Sequence, residues 1–279
     1  MKPTVTFPSG DSVPALGQGT WKMAESPSLR AAQIAALRYG IELGMTLIDT
    51  AEMYADGEAE TLVGEAISGR RDGLFLVSKA YPWNASASAL PRACEASLRR
   101  LGTDRLDLYL LHWRGEIPLA ETVSAMEALC DRGLIRNWGV SNFDAEDMED
   151  LIAAGGTRCA TNQVLYNLTR RGPEYDLLPW MGGRAIPAMA YSPVEQGRLA
   201  GDRRLAGLAA GLGVTAAQLA LAWVLNRAGT IAIPKAATLD HVAQNHAAAA
   251  LDLVVHEDVL LALDRIFPAP DGPRPLEMI

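Results

Sequence analysis

Cysteine is scarce in this sequence. Only three cysteines occur among 279 residues, namely Cys94, Cys130 and Cys159. They are odd in number, lie far apart and form no C-x-x-C pair, so they predict neither a disulfide framework nor a zinc site. We interpret them as buried thiols in a reducing compartment. The N-terminal segment also lacks the apolar region of a signal peptide, and we therefore expect a cytoplasmic location.

Positive charge is scarce as well. Lysine and arginine total 25 against 33 acidic residues, which gives a net charge of −8 at pH 7. A protein that follows the phosphates of a nucleic acid usually has a basic face, whereas basic residues here form short pairs such as Arg70-Arg71 and Arg203-Arg204. The composition therefore argues against a nucleic-acid partner. No cluster with metal-ligand spacing occurs in the sequence, so we expect no metal.

Only one long stretch of the sequence is without charged residues. Residues 205–225 carry no charge and are long enough to mimic a membrane span. The stretch contains three glycines, followed by Thr215 with Gln218 three residues later, which is the signature of a helix capping box. We therefore predict a turn followed by a buried helix, and no membrane partner.

The sequence does contain a regular alternation of two kinds of segment. Short apolar runs occupy residues 15–20, 46–49, 74–79, 106–112, 135–140, 160–164, 185–191 and 230–233. Segments with helical periodicity follow them, at residues 29–42, 59–67, 89–101, 120–130, 145–153, 173–181, 216–227 and 239–248. Short, apolar strands are typical of a parallel sheet covered by helices. Eight strand–helix units predict an α/β fold, a single (β/α)8 TIM barrel over residues 1–279.

The rival architecture is an open, doubly wound sheet. That fold carries G-x-G-x-x-G after its first strand, whereas Gly17-Gln18-Gly19 lacks the third glycine and opens no helix. The barrel is therefore the preferred prediction. At the two ends of the chain we expect an N-terminal hairpin formed by residues 4–7 and 12–14, and a short, proline-rich C-terminal tail after residue 267.

Polar residues mark three consecutive strand ends. Asp49, Lys79 and His112 close the second, third and fourth predicted strands, and Tyr54 lies in the loop after Asp49. In a (β/α)8 barrel the catalytic groups lie at the carboxyl ends of the strands. Each residue alone has an ordinary explanation: a helix cap, a lysine that reaches solvent, a core histidine or an interface aromatic. All four at one rim predict an active site instead.

One kind of reaction uses all four side chains. A free phenol has a pKa near 10, so it is poorly matched to proton donation at neutral pH. The Lys79 ammonium would lower the pKa of Tyr54, the Asp49 carboxylate would hold the ammonium in place, and His112 would orient a carbonyl oxygen. This set suits the addition of a proton to an oxygen whose carbon receives a hydride.

Motifs along nearly the whole chain resemble the aldo-keto reductase superfamily. They are Asp49-Thr50-Ala51-Glu52-Met53-Tyr54, Val77-Ser78-Lys79, Asp107-Leu108-Tyr109-Leu110-Leu111-His112-Trp113, Trp138-Gly139-Val140-Ser141-Asn142, Asn162-Gln163, Tyr191-Ser192-Pro193 and Ile233-Pro234-Lys235. Within the superfamily, the sequence is similar to short-tailed bacterial members described as methylglyoxal reductases. The resemblance implies a catalytic tetrad of Asp49, Tyr54, Lys79 and His112. It also implies a nicotinamide cofactor, NADPH, bound in extended form across the mouth of the barrel.

The resemblance further implies the cofactor contacts. Ser141, Asn142 and Gln163 would hold the nicotinamide carboxamide, and Tyr191 would stack on the ring. Without the resemblance, an ordinary turn and a rim aromatic are the preferred interpretations of these residues. The full expected set is Gly19, Thr20, Asp49, Ser141, Asn142, Gln163, Tyr191, Ser192, Pro193, Gly197, Leu199, Ile233, Lys235, His241, Gln244 and Asn245.

The adenosine end departs from the family pattern. Members that prefer NADP usually carry Lys or Arg in the Ile-Pro-Lys motif and Arg at the start of the next helix. Lys235 is present here, but His241 occupies the place of that Arg. Gln244 and Asn245 match the positions that contact adenine, and N–H groups at the start of the helix can bind a phosphate. We therefore expect a preference for NADPH that is weaker than usual, with NADH bound at lower affinity.

Aromatic residues surround the expected substrate pocket. The expected substrate contacts are Trp21, Tyr54, Tyr81, Trp83, His112 and Trp113, in an apolar funnel that the short tail leaves open on one side. The resemblance thus implies reduction of small aldehydes or ketones, methylglyoxal-like and aromatic aldehydes among them, to alcohols. We expect a monomer, because no long apolar segment is left over for an interface. The alternative is an NADPH-binding regulatory or redox-sensing subunit with little turnover.

Overall fold

The N-terminal hairpin covers one end of the molecule. A computed structural model of the protein describes residues 3–279. Strand β1 (Thr4–Thr6) pairs antiparallel with β2 (Ser12–Pro14), as predicted. Phe7 follows β1 and stacks on Phe75, with ring centroids 5.3 Å apart. Because Phe75 begins a barrel strand, the hairpin closes the end of the barrel at which the strands start.

The apolar runs form the barrel itself. Eight parallel strands lie side by side in sequence order. They are β3 (Gln18–Gly19), β4 (Leu47–Asp49), β5 (Phe75–Ala80), β6 (Leu106–Leu111), β7 (Ile135–Ser141), β8 (Asn162–Leu165), β9 (Ala188–Tyr191) and β10 (Thr230–Ala232). Parallel bridges from Leu16 to Ala232 and from Gly19 to Lys235 join the first of these strands to the last. The predicted (β/α)8 barrel is therefore confirmed.

Helices surround the strands. They are α1 (Arg30–Glu42), α2 (Glu58–Ile67), α3 (Leu90–Leu101), α4 (Leu119–Asp131), α5 (Ala145–Ala153), α6 (Leu177–Gly182), α7 (Arg203–Gly211), α8 (Ala216–Leu225), α9 (Leu239–Ala248) and α10 (Glu257–Ile266). Every residue of β4, β5 and β6 is buried, as expected for strands covered on both faces. Side chains at the carboxyl ends of these strands consequently emerge together at one end of the barrel.

Two sequence predictions about helices are wrong, and one helix is missed. The segment expected to be a turn is helix α7, because the Asp202 carboxylate accepts hydrogen bonds from the N–H groups of Arg204 and Leu205. An N-cap of this kind contributes about 1 kcal/mol, enough to offset an interior glycine. The helix predicted over residues 173–181 is interrupted, since a 3-10 turn at Gly172–Glu174 precedes α6. Helix α10 was not predicted at all.

The structure also corrects the interpretation of one cysteine. Cys94 and Cys159 are buried, but Cys130 is only partly buried. Burial raises the pKa of Cys94 and Cys159 to about 12 and that of Cys130 to about 11. All three therefore stay protonated at neutral pH and are poor nucleophiles.

The uncharged stretch does not form one long helix. Within residues 3–279, no single helix is long and apolar enough to cross a membrane. Helices α7 and α8 are long and apolar enough to span a membrane only if they are taken together, and their axes are bent by 80° relative to each other.

Candidate active site

Lys79 lies at the centre of a polar cluster inside the barrel mouth. Its fully buried ammonium donates hydrogen bonds to both carboxylate oxygens of Asp49, each at 2.8 Å, and to the Thr50 carbonyl at 2.9 Å. The same nitrogen lies 3.1 Å from the Tyr54 hydroxyl oxygen. Asp49 ends β4 and Lys79 lies near the end of β5. The register of two neighbouring parallel strands thus brings these predicted residues together.

An unusual loop returns Tyr54 toward the barrel axis. The 3-10 segment Tyr54–Gly57 contains Ala55 and Asp56 with φ of 49° and 53°, followed by Gly57 with φ of 88°. Side chains other than glycine rarely adopt this left-handed region. The strained backbone lets the loop fold back, so that the phenol faces the Lys79 ammonium.

His112 completes the predicted tetrad from the end of β6. Its ring meets the Tyr54 ring edge-on, with centroids 5.9 Å apart. Burial and the Lys79 ammonium lower the pKa of His112 to about 3, so the imidazole is neutral at neutral pH. Its Nδ1 has no hydrogen-bond partner among the described residues. A neutral imidazole can orient a carbonyl oxygen, but it is not charged before the reaction and is poorly suited to be the acid.

The prediction that Lys79 lowers the pKa of Tyr54 is wrong. Burial is the largest influence and raises the pKa of the phenol well above 10, and the Asp49 carboxylate acts in the same direction. Burial also lowers the pKa of Lys79, against the opposing influence of Asp49 and of a second carboxylate, Glu60. Desolvation is therefore the largest influence on the pKa of both groups, and in each it disfavours the charged form. Tyr54 is a phenol that stays fully protonated at neutral pH.

A second hydrogen-bonded group adjoins this cluster. Gln163 on β8 donates to the Asp49 carboxylate at 2.8 Å, and the Ser141 hydroxyl donates to the Gln163 carbonyl at 2.8 Å. The Tyr191 hydroxyl donates to the side-chain oxygen of Asn142 at 2.9 Å. The structure thus brings the four residues expected to hold a nicotinamide into one region that touches the tetrad at Asp49.

The loop after β9 is held by residues that the sequence analysis missed. Ser192, Glu195 and Gln196 have φ of 48°, 50° and 54°, so the loop runs through the left-handed region that side chains other than glycine rarely adopt. A buried carboxylate, Glu195, anchors it: Arg170 Nη2 lies 2.9 Å away, and Asn167 donates to it at 2.7 Å. Pro193 and Leu199, both expected to contact the cofactor, are buried.

Gly19 and Lys235, which are both expected to contact the cofactor, lie at the closing seam of the barrel. Gly19 forms a parallel bridge with Lys235, and a side chain at Gly19 would come within 2.6 Å of the carbonyl oxygen of Ile233. Gly19 is therefore required for close packing of the strands. Thr20 is also turned inward, because its hydroxyl donates to the Asp49 carbonyl at 2.9 Å.

Helix α9 presents the remaining adenosine residues to solvent. The Thr238 hydroxyl caps its first turn through the N–H of His241. Lys235, His241 and Gln244 are exposed and Asn245 is half-buried. This surface combines a lysine with a helix N-terminus, both of which attract a phosphate.

Three of the expected substrate contacts, namely Tyr81, Trp83 and Trp113, form one contact group. Tyr81 and Trp83 stack with centroids 4.2 Å apart, and Trp113 meets their rings edge-on at 6.0 and 5.9 Å. Trp113 also lies 5.0 Å from the His112 ring. Trp21 contributes a different contact, since its ring lies 4.7 Å from the ammonium of Lys22. The aromatic group therefore adjoins the tetrad through His112.

Glu52 holds this aromatic loop, and sequence reasoning did not single it out. Its carboxylate accepts a hydrogen bond from the backbone N–H of Tyr81 at 2.7 Å and another from the Asn84 side chain at 2.9 Å. Both bonds join residues about thirty positions apart, so no local pattern reveals them. The only feature of the sequence that points to Glu52 is its position between Asp49 and Tyr54.

The C-terminal tail packs against the loop after β9. Glu277 forms an ion pair with Arg170, which also binds Glu195 of the loop after β9. This ion pair holds the end of the short tail beside the loop after β9.

Comparison with known proteins agrees with this geometry. The model of the aldo/keto reductase family matches residues 15–266, and the chain belongs to this family. Methylglyoxal reductase YeaE of Escherichia coli (strain K12) is 56% identical over 97% of each chain. An aldo/keto reductase from Klebsiella pneumoniae, crystallised with NADP and acetate, is 54% identical, covers 100% of both chains and superimposes with a TM-score of 0.97. A structure of aldo-keto reductase from the same organism with NADPH gives 54% identity, full coverage and a TM-score of 0.96.

Proposed function

We propose that the protein reduces small aldehydes and ketones with NADPH and that Tyr54 is the proton donor. The direction of the hydrogen bond between Lys79 and Tyr54 carries this proposal. An ammonium has three N–H donors and no acceptor; with one N–H shared between the two Asp49 oxygens and one directed at the Thr50 carbonyl, the third donates to the phenolic oxygen 3.1 Å away. The phenolic proton is therefore left for an oxygen atom in the pocket, on the side where His112 lies.

The described residues fit a nicotinamide cofactor. Bound NADPH supplies the hydride. Tyr191 offers a flat aromatic face, and the side chains of Ser141, Asn142 and Gln163 offer the donors and acceptors that a carboxamide needs. The Klebsiella relative in complex with NADP supports the same choice of cofactor.

At the far end of the cofactor, Lys235 and the start of α9 offer positive charge to a phosphate. His241 lies on the first turn of α9 and is exposed. The remaining expected contacts, Thr20, Ser192, Gly197, Gln244 and Asn245 among them, stay predictions.

The proton step follows from the charges around Tyr54. Negative charge develops on the carbonyl oxygen as its carbon accepts the hydride, and an alkoxide is a stronger base than a phenolate. Tyr54 therefore gives up its proton in spite of its high pKa. The Lys79 ammonium stabilises the phenolate that forms, and Asp49 keeps the ammonium in place. Neutral His112 holds the carbonyl oxygen against the phenol.

The substrate class follows from the aromatic group. An apolar wall of Tyr81, Trp83 and Trp113 favours small, uncharged carbonyl compounds, and methylglyoxal and aromatic aldehydes are the proposed substrates. The Escherichia coli relative carries the name methylglyoxal reductase, which supports the first of these. The single-domain organisation, the monomeric state and the cytoplasmic location stay predictions.

Substitution of Tyr54 tests the proposed mechanism. Positioned proton transfer contributes about 10²–10⁴-fold to the rate, so Tyr54→Phe should lower kcat for methylglyoxal by that factor. Binding of NADPH, measured by fluorescence titration, should stay unchanged. The control is Tyr175→Phe, which removes the hydroxyl of an exposed tyrosine and should leave kcat unaltered. A Tyr54→Phe variant that keeps a tenth of the wild-type kcat would exclude Tyr54 as the acid.

A further inference from the structure

A second buried carboxylate lies behind the strand that carries Lys79. Successive residues of a strand point to opposite faces, so Lys79 on β5 points into the barrel and Ser78 points outward to the helices. The Ser78 hydroxyl donates to the Glu60 carboxylate at 2.5 Å. Glu60 belongs to α2 and is fully buried. It therefore touches the catalytic strand from outside the barrel.

The partner of Glu60 lies against the loop that carries Tyr54. Arg100 on α3 binds the Glu60 carboxylate, with Nε 2.6 Å from Oε2. A side chain at Gly57, the last residue of the Tyr54 loop, would come within 2.6 Å of the same nitrogen of Arg100. Arg100 thus packs directly beneath this loop, and α2 begins at the next residue after it.

The Glu60–Arg100 pair has an ordinary explanation, which is that it ties α2 to α3. Two observations go beyond that explanation. The carboxylate also binds the residue next to Lys79, and its charge is among the influences that raise the pKa of Lys79 against burial. A purely structural ion pair between two helices has no reason to engage both the lysine strand and the tyrosine loop.

We propose that Glu60 is a positioning residue of the reduction, which acts through Ser78 and Arg100 on the Lys79–Tyr54 pair from the outer face of the barrel. The inference rests on the proposed roles of Lys79 and Tyr54. A buried negative charge favours the ammonium form of Lys79 and disfavours the phenolate form of Tyr54. Both effects raise the apparent pKa at which the pair loses its first proton.

The other charged groups of the outer face, Arg30 with Glu65 and Arg132 with Glu95, form ion pairs nearer the surface than the buried Glu60 carboxylate. Within the barrel, Asp49 is the partner of Lys79, and His112 is neutral because its pKa is about 3. On the outer side, burial raises the pKa of Cys94 to about 12 and that of Tyr109 well above 10. The charge of Glu52 also raises the pKa of Tyr109, but Glu52 lies in the loop before Tyr54 and not on the outer helices.

Opposite charge changes at the two partners provide the test. The measured quantity is the alkaline limb of the single-turnover rate of methylglyoxal reduction with bound NADPH, between pH 6 and the highest pH at which each variant stays folded. Glu60→Gln removes a negative charge and should move this limb to lower pH by on the order of half to one pH unit. Arg100→Gln removes a positive charge and should move it to higher pH, by less, because Arg100 is partly exposed.

Two further variants separate charge from structure. The double variant Glu60→Gln, Arg100→Gln loses the ion pair but restores the net charge, so its limb should return toward the wild-type pH. Glu65→Gln is the matched control, because Glu65 lies on the same helix and pairs with Arg30 at the exposed surface. This control should not move the limb.

The results decide between the two explanations. Lowered rates with no displacement of the limb, or displacement in the same direction in both single variants, would overturn the inference and leave a structural ion pair. If Glu60→Gln does not fold, a limb at higher pH in Arg100→Gln supports the inference, and an unchanged limb overturns it. Failure of the proposed function gives a different result. In that case Tyr54→Phe would remain active, irrespective of the pH dependence of the Glu60 and Arg100 variants.

Discussion

Acid should destabilise the folded protein through His112. Burial and the Lys79 ammonium lower the pKa of this imidazole from 6.5 to about 3 in the folded state. At pH 5 the unfolded chain binds a proton at this residue and the folded protein does not. The stability contributed by neutral His112 is therefore complete above pH 6.5 and is lost as the pH falls toward 3. At pH 5 the loss is about 2 kcal/mol, because pH 5 lies about 1.5 units below the unfolded pKa and each unit is worth about 1.4 kcal/mol.

Urea denaturation at pH 7.5 and pH 5.0 measures this contribution. The free energy of unfolding of the wild type should fall by about 2 kcal/mol more between the two pH values than that of His112→Gln. Carboxylates titrate in both proteins, so their effect cancels in the comparison. His241→Gln, at an exposed position, is the control and should behave like the wild type. Equal losses in the wild type and in His112→Gln would show that the imidazole is not held neutral by the fold.

Two further predictions concern the cofactor and the substrate. His241→Arg should tighten NADPH binding roughly ten- to a hundredfold, the value of a charge-assisted hydrogen bond of about 1.5–3 kcal/mol, with little effect on NADH. Isothermal titration measures both affinities, and an unchanged NADPH affinity would show that residue 241 does not face the phosphate. Trp113→Ala should raise KM for an aromatic aldehyde more than for methylglyoxal, because the larger ring touches more of the aromatic wall. Steady-state kinetics that give equal increases in KM would contradict the apolar funnel.

The strand ends could be predicted from the sequence because the chemistry changes abruptly there. Each barrel strand is a run of apolar residues, and Asp49, Lys79 and His112 interrupt that pattern at or beside the carboxyl end. Lys79 lies two residues beyond the strand partner of Asp49, and His112 lies two residues beyond the strand partner of Lys79. Because side chains two residues apart share a face of a strand, the three side chains emerge on the same side. The fold and the tetrad therefore share one source of information, which is the hydrophobic pattern.

Contacts between distant loops could not be predicted in this way. Glu52 binds the backbone of Tyr81, and Glu195 binds Arg170, yet in the sequence each is simply an acidic residue in a polar segment. The C-terminal tail shows the same limit. Its four prolines predict an extended chain, but the pairing of Glu277 with Arg170 decides where that chain lies.

The error about the Tyr54 pKa shows what the Lys79 ammonium does in the proposed reaction. The sequence predicts that the Lys79 ammonium lowers the pKa of the Tyr54 phenol before any reaction, whereas burial raises that pKa. An interaction accelerates a reaction only by the amount that it strengthens in the transition state. The bond from the Lys79 ammonium to the neutral phenolic oxygen has one charged partner before the reaction, and it becomes a bond between two opposite charges as the phenolate forms. A buried ammonium fixed by Asp49 is therefore most effective during proton transfer, and a high resting pKa of Tyr54 keeps the proton in place until a carbonyl oxygen needs it.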